Sequence, residues 1–209
     1  INDFKLICNK INFDFSTNRR NAKYIKVINS RAVYILNVYY RSLITGEQSP
    51  IKIEINFLDK IIHDYSKLEI KNIVSTDAEL KSIEYDLENI KINAYSLEEI
   101  ILEKYRAVLT RTKLKERDVL DLYLINKKNI DVLKTKNESI IEKIKSAKII
   151  SPNLNKNMKE NCRLLTKGNF DNSDDDIDSL IIIEVDKNEY NEFKEKLFEK
   201  LKEICKKYD

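Results

Sequence analysis

A run of β-branched and aromatic residues, Ala32-Val33-Tyr34-Ile35-Leu36-Asn37-Val38-Tyr39-Tyr40, leads through the turn-forming Thr45-Gly46-Glu47-Gln48-Ser49-Pro50 into Ile51-Lys52-Ile53-Glu54-Ile55-Asn56-Phe57. The last stretch alternates strictly. Successive side chains of a strand point to opposite faces, so Ile51, Ile53, Ile55 and Phe57 share one face and Lys52, Glu54 and Asn56 the other. The first run is apolar on most of both faces. Together they predict a β-hairpin from Val33 to Phe57, and hence a sheet in any fold the chain adopts. Weaker β-like stretches follow at Leu68 to Val74 and Asn89 to Tyr95. Ahead of the hairpin, Phe4, Ile7, Cys8 and Ile11 have helical spacing, which predicts a helix over Phe4 to Phe15.

Beyond residue 95 the pattern turns helical. Ser96-Leu97-Glu98-Glu99 reads as a capping box, in which the Ser hydroxyl accepts from the backbone three residues on and the Glu reaches back. One helix is expected from there to about Thr112 and a second over Leu114 to Asn126. The remainder, including Ile140 to Ile149, Leu154 to Leu165 and Tyr190 to Tyr208, reads as mainly helical. With 2 Gly and 2 Pro in 209 residues, 35% charged and 42% hydrophobic, the chain has the composition of a helix-rich globular protein.

Bulk charge excludes little. The 38 basic and 35 acidic side chains leave +3, too even to imply a nucleic-acid partner, so any such contact is local. Cys8, Cys162 and Cys205 are odd in number and far apart in sequence, which indicates neither a disulfide framework nor a zinc cluster and favours a reducing, cytoplasmic setting. No stretch has the length and apolarity of a membrane span. The acidic run Asp171 to Asp178 departs from a calcium-binding loop, with Asp176 at its sixth position and Ile182 at its twelfth, and reads as a solvated loop. His63 is assigned no role.

Charge placed on apolar faces is more informative. On the first central helix Lys104 and Arg111 fall on one stripe with Leu97, Ile100, Ala107 and Val108. On the second, Asp118 and Asp121 share a face with Leu114, Leu122 and Ile125. Burying an unpaired charge costs several kcal/mol, on the order of 3–5 for a broken buried pair, so these cations must snorkel out, pair with the aspartates across a helical hairpin, or meet an anionic ligand. Pairing and a binding role are compatible, because functional sites are where such charges are collected. The expected arrangement is Lys104 and Arg111 facing Asp118 or Asp121 around one pocket.

The stretch Tyr95-Ser96-Leu97-Glu98-Glu99-Ile100-Ile101-Leu102-Glu103-Lys104-Tyr105-Arg106-Ala107-Val108-Leu109-Thr110-Arg111, with Arg117-Asp118-Val119-Leu120-Asp121-Leu122-Tyr123-Leu124, resembles the second half of the AbiEii/AbiGii toxin family. The strand ending at Phe57 is similar to the one preceding that element. The resemblance implies an α+β, nucleotidyltransferase-like fold: a partial mixed-sheet core over residues 1–95, then a mainly helical part over 96–209. It also implies a toxin of a toxin–antitoxin or phage-defence system, transferring a nucleotidyl group from an NTP, with Mg²⁺, to a hydroxyl of RNA or protein. Carried over, Lys104 neutralises the triphosphate, Asp118 or Asp121 orients it or binds metal indirectly, Arg111 assists, and Glu54 supplies a third carboxylate on the metal.

One element of the family pattern is missing. Upstream of the hairpin the family carries a Gly-Ser or Gly-Gly turn and, roughly ten residues on, Asp-x-Asp, whose carboxylates hold the metal ions. This chain has only Gly46 and Gly168, neither so placed, and Asp14 lacks a partner at Asn12 and reads as structural. Either the chain begins after that motif, as its non-Met start suggests, or it is a non-catalytic relative that binds a nucleotide or an antitoxin protein.

Overall fold

The computed structural model describes residues 1–28, 33–57, 60–69, 91–150, 152–170 and 185–208. They form two compact units, Ile1–Asp59 with Ile149–Ser151, and Lys60–Lys148 with Pro152–Asp209. The α+β expectation is borne out. The run Asp171 to Asp178 lies outside the described residues.

In the first unit helix α1 (Asn2–Lys10) precedes an antiparallel sheet of β1 (Ile25–Ile28), β2 (Val33–Arg41) and β3 (Gln48–Asn56), in the order β1-β2-β3. The predicted hairpin is β2–β3, with Leu36 opposite Ile53 and Ile35 opposite Glu54. Its turn passes through Gly46 at φ 71°, a left-handed conformation that glycine adopts without steric cost. Cys8, Phe15, Ile25, Leu36 and Val38 form the core of this unit. The first helix is shorter than its periodicity predicts. It stops at Lys10 because Asn12 turns left-handed (φ 56°) and the Phe13 N–H bonds back to the Cys8 carbonyl at 2.8 Å. Asp14 then pairs with Tyr39 through two backbone hydrogen bonds of 2.8 and 3.0 Å, so the apolar residues after Ile11 belong to a sheet margin.

The second unit carries a two-stranded antiparallel ribbon, β4 (Ser66–Glu69) with β5 (Lys91–Ala94). Leu68 and Glu69 of β4 and the whole of β5 fall in the two weaker β-like stretches, and residues 70–74 and 89–90 of those stretches lie outside the described residues. Five helices accompany it among the described residues: α2 (Leu97–Thr110), α3 (Glu116–Lys127), α4 (Asn137–Ile150), α5 (Pro152–Thr166) and α6 (Lys187–Tyr208). Helix α2 packs on α3 and α5, and α6 packs on α3 and α5. Leu102, Tyr105, Val108 and Leu109 of α2 are fully buried, and its burial extends well beyond one stripe. Burial pushes the Tyr105 phenol up, and its hydroxyl donates to the Val132 carbonyl at 3.0 Å.

Helix α2 starts as the capping box predicts, with the Ser96 hydroxyl accepting from the Glu99 N–H at 3.2 Å. Glu99 has a different task. Its carboxylate accepts from the backbone of Ile62 and His63 at 3.0 and 2.9 Å and from the Lys143 ammonium at 2.5 Å, fastening the segment before β4 to α2 and α4. His63 enters this contact through its backbone.

The cysteine reading is corrected. Cys162 of α5 and Cys205 of α6 form a disulfide with Cα atoms 5.5 Å apart, although 43 residues separate them. Sequence separation says nothing about distance once two helices are packed side by side. Cys8 is free and buried, and burial pushes its thiol up.

Candidate functional site

Four of the sequence-predicted residues come together between the end of α2 and the start of α3. Lys104 projects from the middle of α2, and Arg111 is the first residue past its end. Asp118 and Asp121 stand one turn apart on α3. The Lys104 ammonium lies 3.3 Å from one oxygen of Asp118 and in direct contact with Asp121, while Arg111 Nε lies 2.7 Å from the other oxygen of Asp118. Asp118 therefore serves both cations.

Exposure separates the two carboxylates. The Asp118 side chain is 1% exposed, that of Asp121 43%, Lys104 26% and Arg111 41%. Asp118 is a fixed anchor, since a buried carboxylate that lost its cations would have no water to replace them. The contact of Lys104 with Asp121 is open to solvent, and pairs of that kind contribute only about 0–1 kcal/mol. An incoming anion can therefore exchange with Asp121 at little cost while Asp118 keeps the two cations in position.

Sequence reasoning missed what holds Arg111. Helix α2 ends at Thr110 without a glycine, and its terminal carbonyls need donors. Two asparagines of α5 supply them: Asn157 Nδ2 donates to the Thr110 carbonyl at 2.9 Å, and Asn161 Nδ2 to the Leu109 and Arg111 carbonyls at 2.8 and 2.9 Å. Asn161 is buried. The available signal was the spacing of Asn157 and Asn161, one helical turn apart within a helix, where asparagine is a poor former unless its amide is engaged. Replacing Asn161 by Ala is expected to cost about 1–2 kcal/mol, because one buried and one part-buried carbonyl lose their donor. Amide hydrogen exchange over residues 109–113 should accelerate, and unchanged exchange there would show that Arg111 is positioned by Asp118 alone.

Glu54 stands on β3 in the first unit, where its carboxylate pairs with Lys52 at 2.9 Å. Asp14 accepts from the Tyr24 hydroxyl at 2.8 Å and from Gln48 at 3.2 Å within the sheet unit. Among the described residues no group of three or more His, Cys, Asp or Glu side chains is placed to hold a metal ion. The oxygens of Asp118 are already opposed by Lys104 and Arg111, so Asp118 by itself is not placed to hold Mg²⁺. No described helix is long and apolar enough to cross a membrane.

The family described as "Nucleotidyl transferase AbiEii toxin, Type IV TA system" matches residues 3–209. No curated protein and no solved structure matches the chain. The match spans almost the whole sequence, and the chain belongs to that family of nucleotidyltransferase toxins of type IV toxin–antitoxin systems.

Proposed function

We propose that this member of the AbiEii family uses Lys104 and Arg111 to hold the phosphates of a nucleoside triphosphate whose nucleotidyl group is destined for a hydroxyl on RNA or protein. The observation that carries this reading is the pair of partly exposed cations fixed by one buried carboxylate. Charge-assisted contacts to phosphate need only donors in reach, and two cations pinned from behind are preorganised for that. Asp118 positions them. Asp121 occupies Lys104 until phosphate arrives. An antitoxin protein is the natural partner of a type IV toxin.

Transfer demands more than binding. In-line displacement requires metal, phosphate and acceptor oxygen to be aligned by carboxylates, and the Asp-x-Asp element of the family pattern is missing from this sequence. With that element missing, Lys104 and Arg111 account for nucleotide binding, while Mg²⁺ and the third carboxylate assigned to Glu54 belong to the transfer step.

Calorimetric titration of the chain with NTPs and Mg²⁺ tests this. Weak binding is expected, with Lys104→Ala losing about tenfold in affinity, equivalent to about 1.4 kcal/mol. Asp121→Ala should bind at least as tightly as the unaltered chain, since a competing anion has gone. Labelled-nucleotide transfer should stay at background. Equal affinity for the Lys104→Ala variant would sink the phosphate assignment, and robust transfer would show that other carboxylates hold the metal.

A further inference from the structure

Away from this site, a cleft between α5 and α6 is lined by the Cys162–Cys205 disulfide and by Lys159, Arg163, Lys202 and Lys206. We infer that this disulfide is an exchange site for a small anionic thiol, which forms a mixed disulfide at Cys162.

Charge brings the thiol in. Arg163 pairs with Glu160 at 2.6 Å and Lys202 with Glu199 at 2.7 Å, whereas Lys159 and Lys206 make no ion pair among the described residues. Opposing them are the negative ends of two helices, since Cys162 and Cys205 lie near the C-termini of α5 and α6. Each terminus carries roughly half a negative charge, so two full cations leave the cleft positive by about one unit. Lys148 of α4 reports the same excess: burial, and then Lys159 and Lys145, hold its ammonium below the ordinary value. Such clefts concentrate anionic reactants and raise association rates by about tenfold or more.

Geometry selects the sulfur. Cys162 is partly exposed, while Cys205 is buried at 7%. A thiolate attacks Cys162 Sγ, the new sulfur–sulfur bond forms as the old one breaks, and the electron pair leaves on Cys205 Sγ. Lys206, which also lines the cleft, stabilises that departing thiolate, which then takes a proton from water. The incoming thiol supplies both the bond and the electrons, and no other oxidant or reductant is needed.

The oxidised full chain would be treated with glutathione, which is anionic, or with neutral 2-mercaptoethanol, quenched in acid and mapped by mass spectrometry. At low salt glutathione should react about tenfold faster relative to 2-mercaptoethanol than it does in high salt, where the positive field is screened. The double variant Lys159→Glu/Lys206→Glu alters two exposed side chains and should lose that advantage while keeping its rate with 2-mercaptoethanol. The adduct should sit on Cys162, with buried Cys8 unmodified. A glutathione advantage insensitive to salt and to charge reversal, an adduct on Cys205, or a chain that cannot be isolated with this disulfide would each overturn the proposal.

Discussion

Replacing Lys143 by Met is expected to destabilise the protein by about 3–5 kcal/mol, the usual cost of removing one partner from a buried ion pair. The Lys143 side chain is 1% exposed, and its ammonium meets Glu99 at 2.5 Å, Glu103 at 2.6 Å and the Lys60 carbonyl at 2.6 Å. Glu99, at 0% exposure, also secures the backbone of Ile62 and His63. Methionine fills the space but leaves buried Glu99 without its cation, while Glu103 keeps Arg106. Urea denaturation measures the effect, and a loss under about 1 kcal/mol would mean that water or rearrangement replaces the lysine.

The same cluster sets a pH dependence. Burial pushes Glu99 up, but the Lys143 hydrogen bond and the His63 and Ile62 amides outweigh it and hold the group below its ordinary 4.5. A depressed carboxyl contributes stability that is present above pH 4.5 and lost as pH falls through its folded value. Burial alone would lower Lys143, yet its bonds to Glu103 and Glu99 hold it above 10.5, so its contribution is present below that pH and lost as pH rises through the folded value. In Lys143→Met the acid-side loss should shrink, because burial then raises Glu99 with its main opponent gone. A variant with the same pH slope on the acid side would assign that slope to other carboxyls.

Asp118→Asn is expected to cost about 2–4 kcal/mol, since the amide keeps the volume but leaves two cations facing a neutral group at a 1% exposed position. The loss should be shared unequally. Lys104 retains Asp121, whereas Arg111 has no second ion pair among the described residues. A double-mutant cycle should therefore give a coupling of about 1–3 kcal/mol for Asp118 with Arg111 and less for Asp118 with Lys104. Equal couplings would contradict the division into an anchor and an exchangeable partner.

Much of the candidate site was legible because helical periodicity is a local property. Lys104, Arg111, Asp118 and Asp121 each break an apolar stripe, and opposite charges on neighbouring helices have strong reason to meet. Their convergence follows from two helices joined by a short connection, Arg111 to Lys115. The supporting residues were not legible in the same way. Glu99 has the sequence context of a capping residue, yet its carboxylate serves partners 36 and 44 residues away. Lys143 reads as one more charge on a helix, and nothing local says that its ammonium is enclosed.

By itself the sequence determined the hairpin, the start of α2, the helical character of the second half and the charged faces of α2 and α3. Each of these depends on backbone geometry over a few residues: alternation in a strand, a side-chain cap, the recurrence of a helix face. Only the tertiary structure decided that Asn157 and Asn161 hold the end beneath Arg111, that Cys162 reaches Cys205, and that Asp118 is enclosed while Asp121 is open. Those outcomes depend on which helices pack together and at what rotation, and packing of that kind is set by the whole core at once.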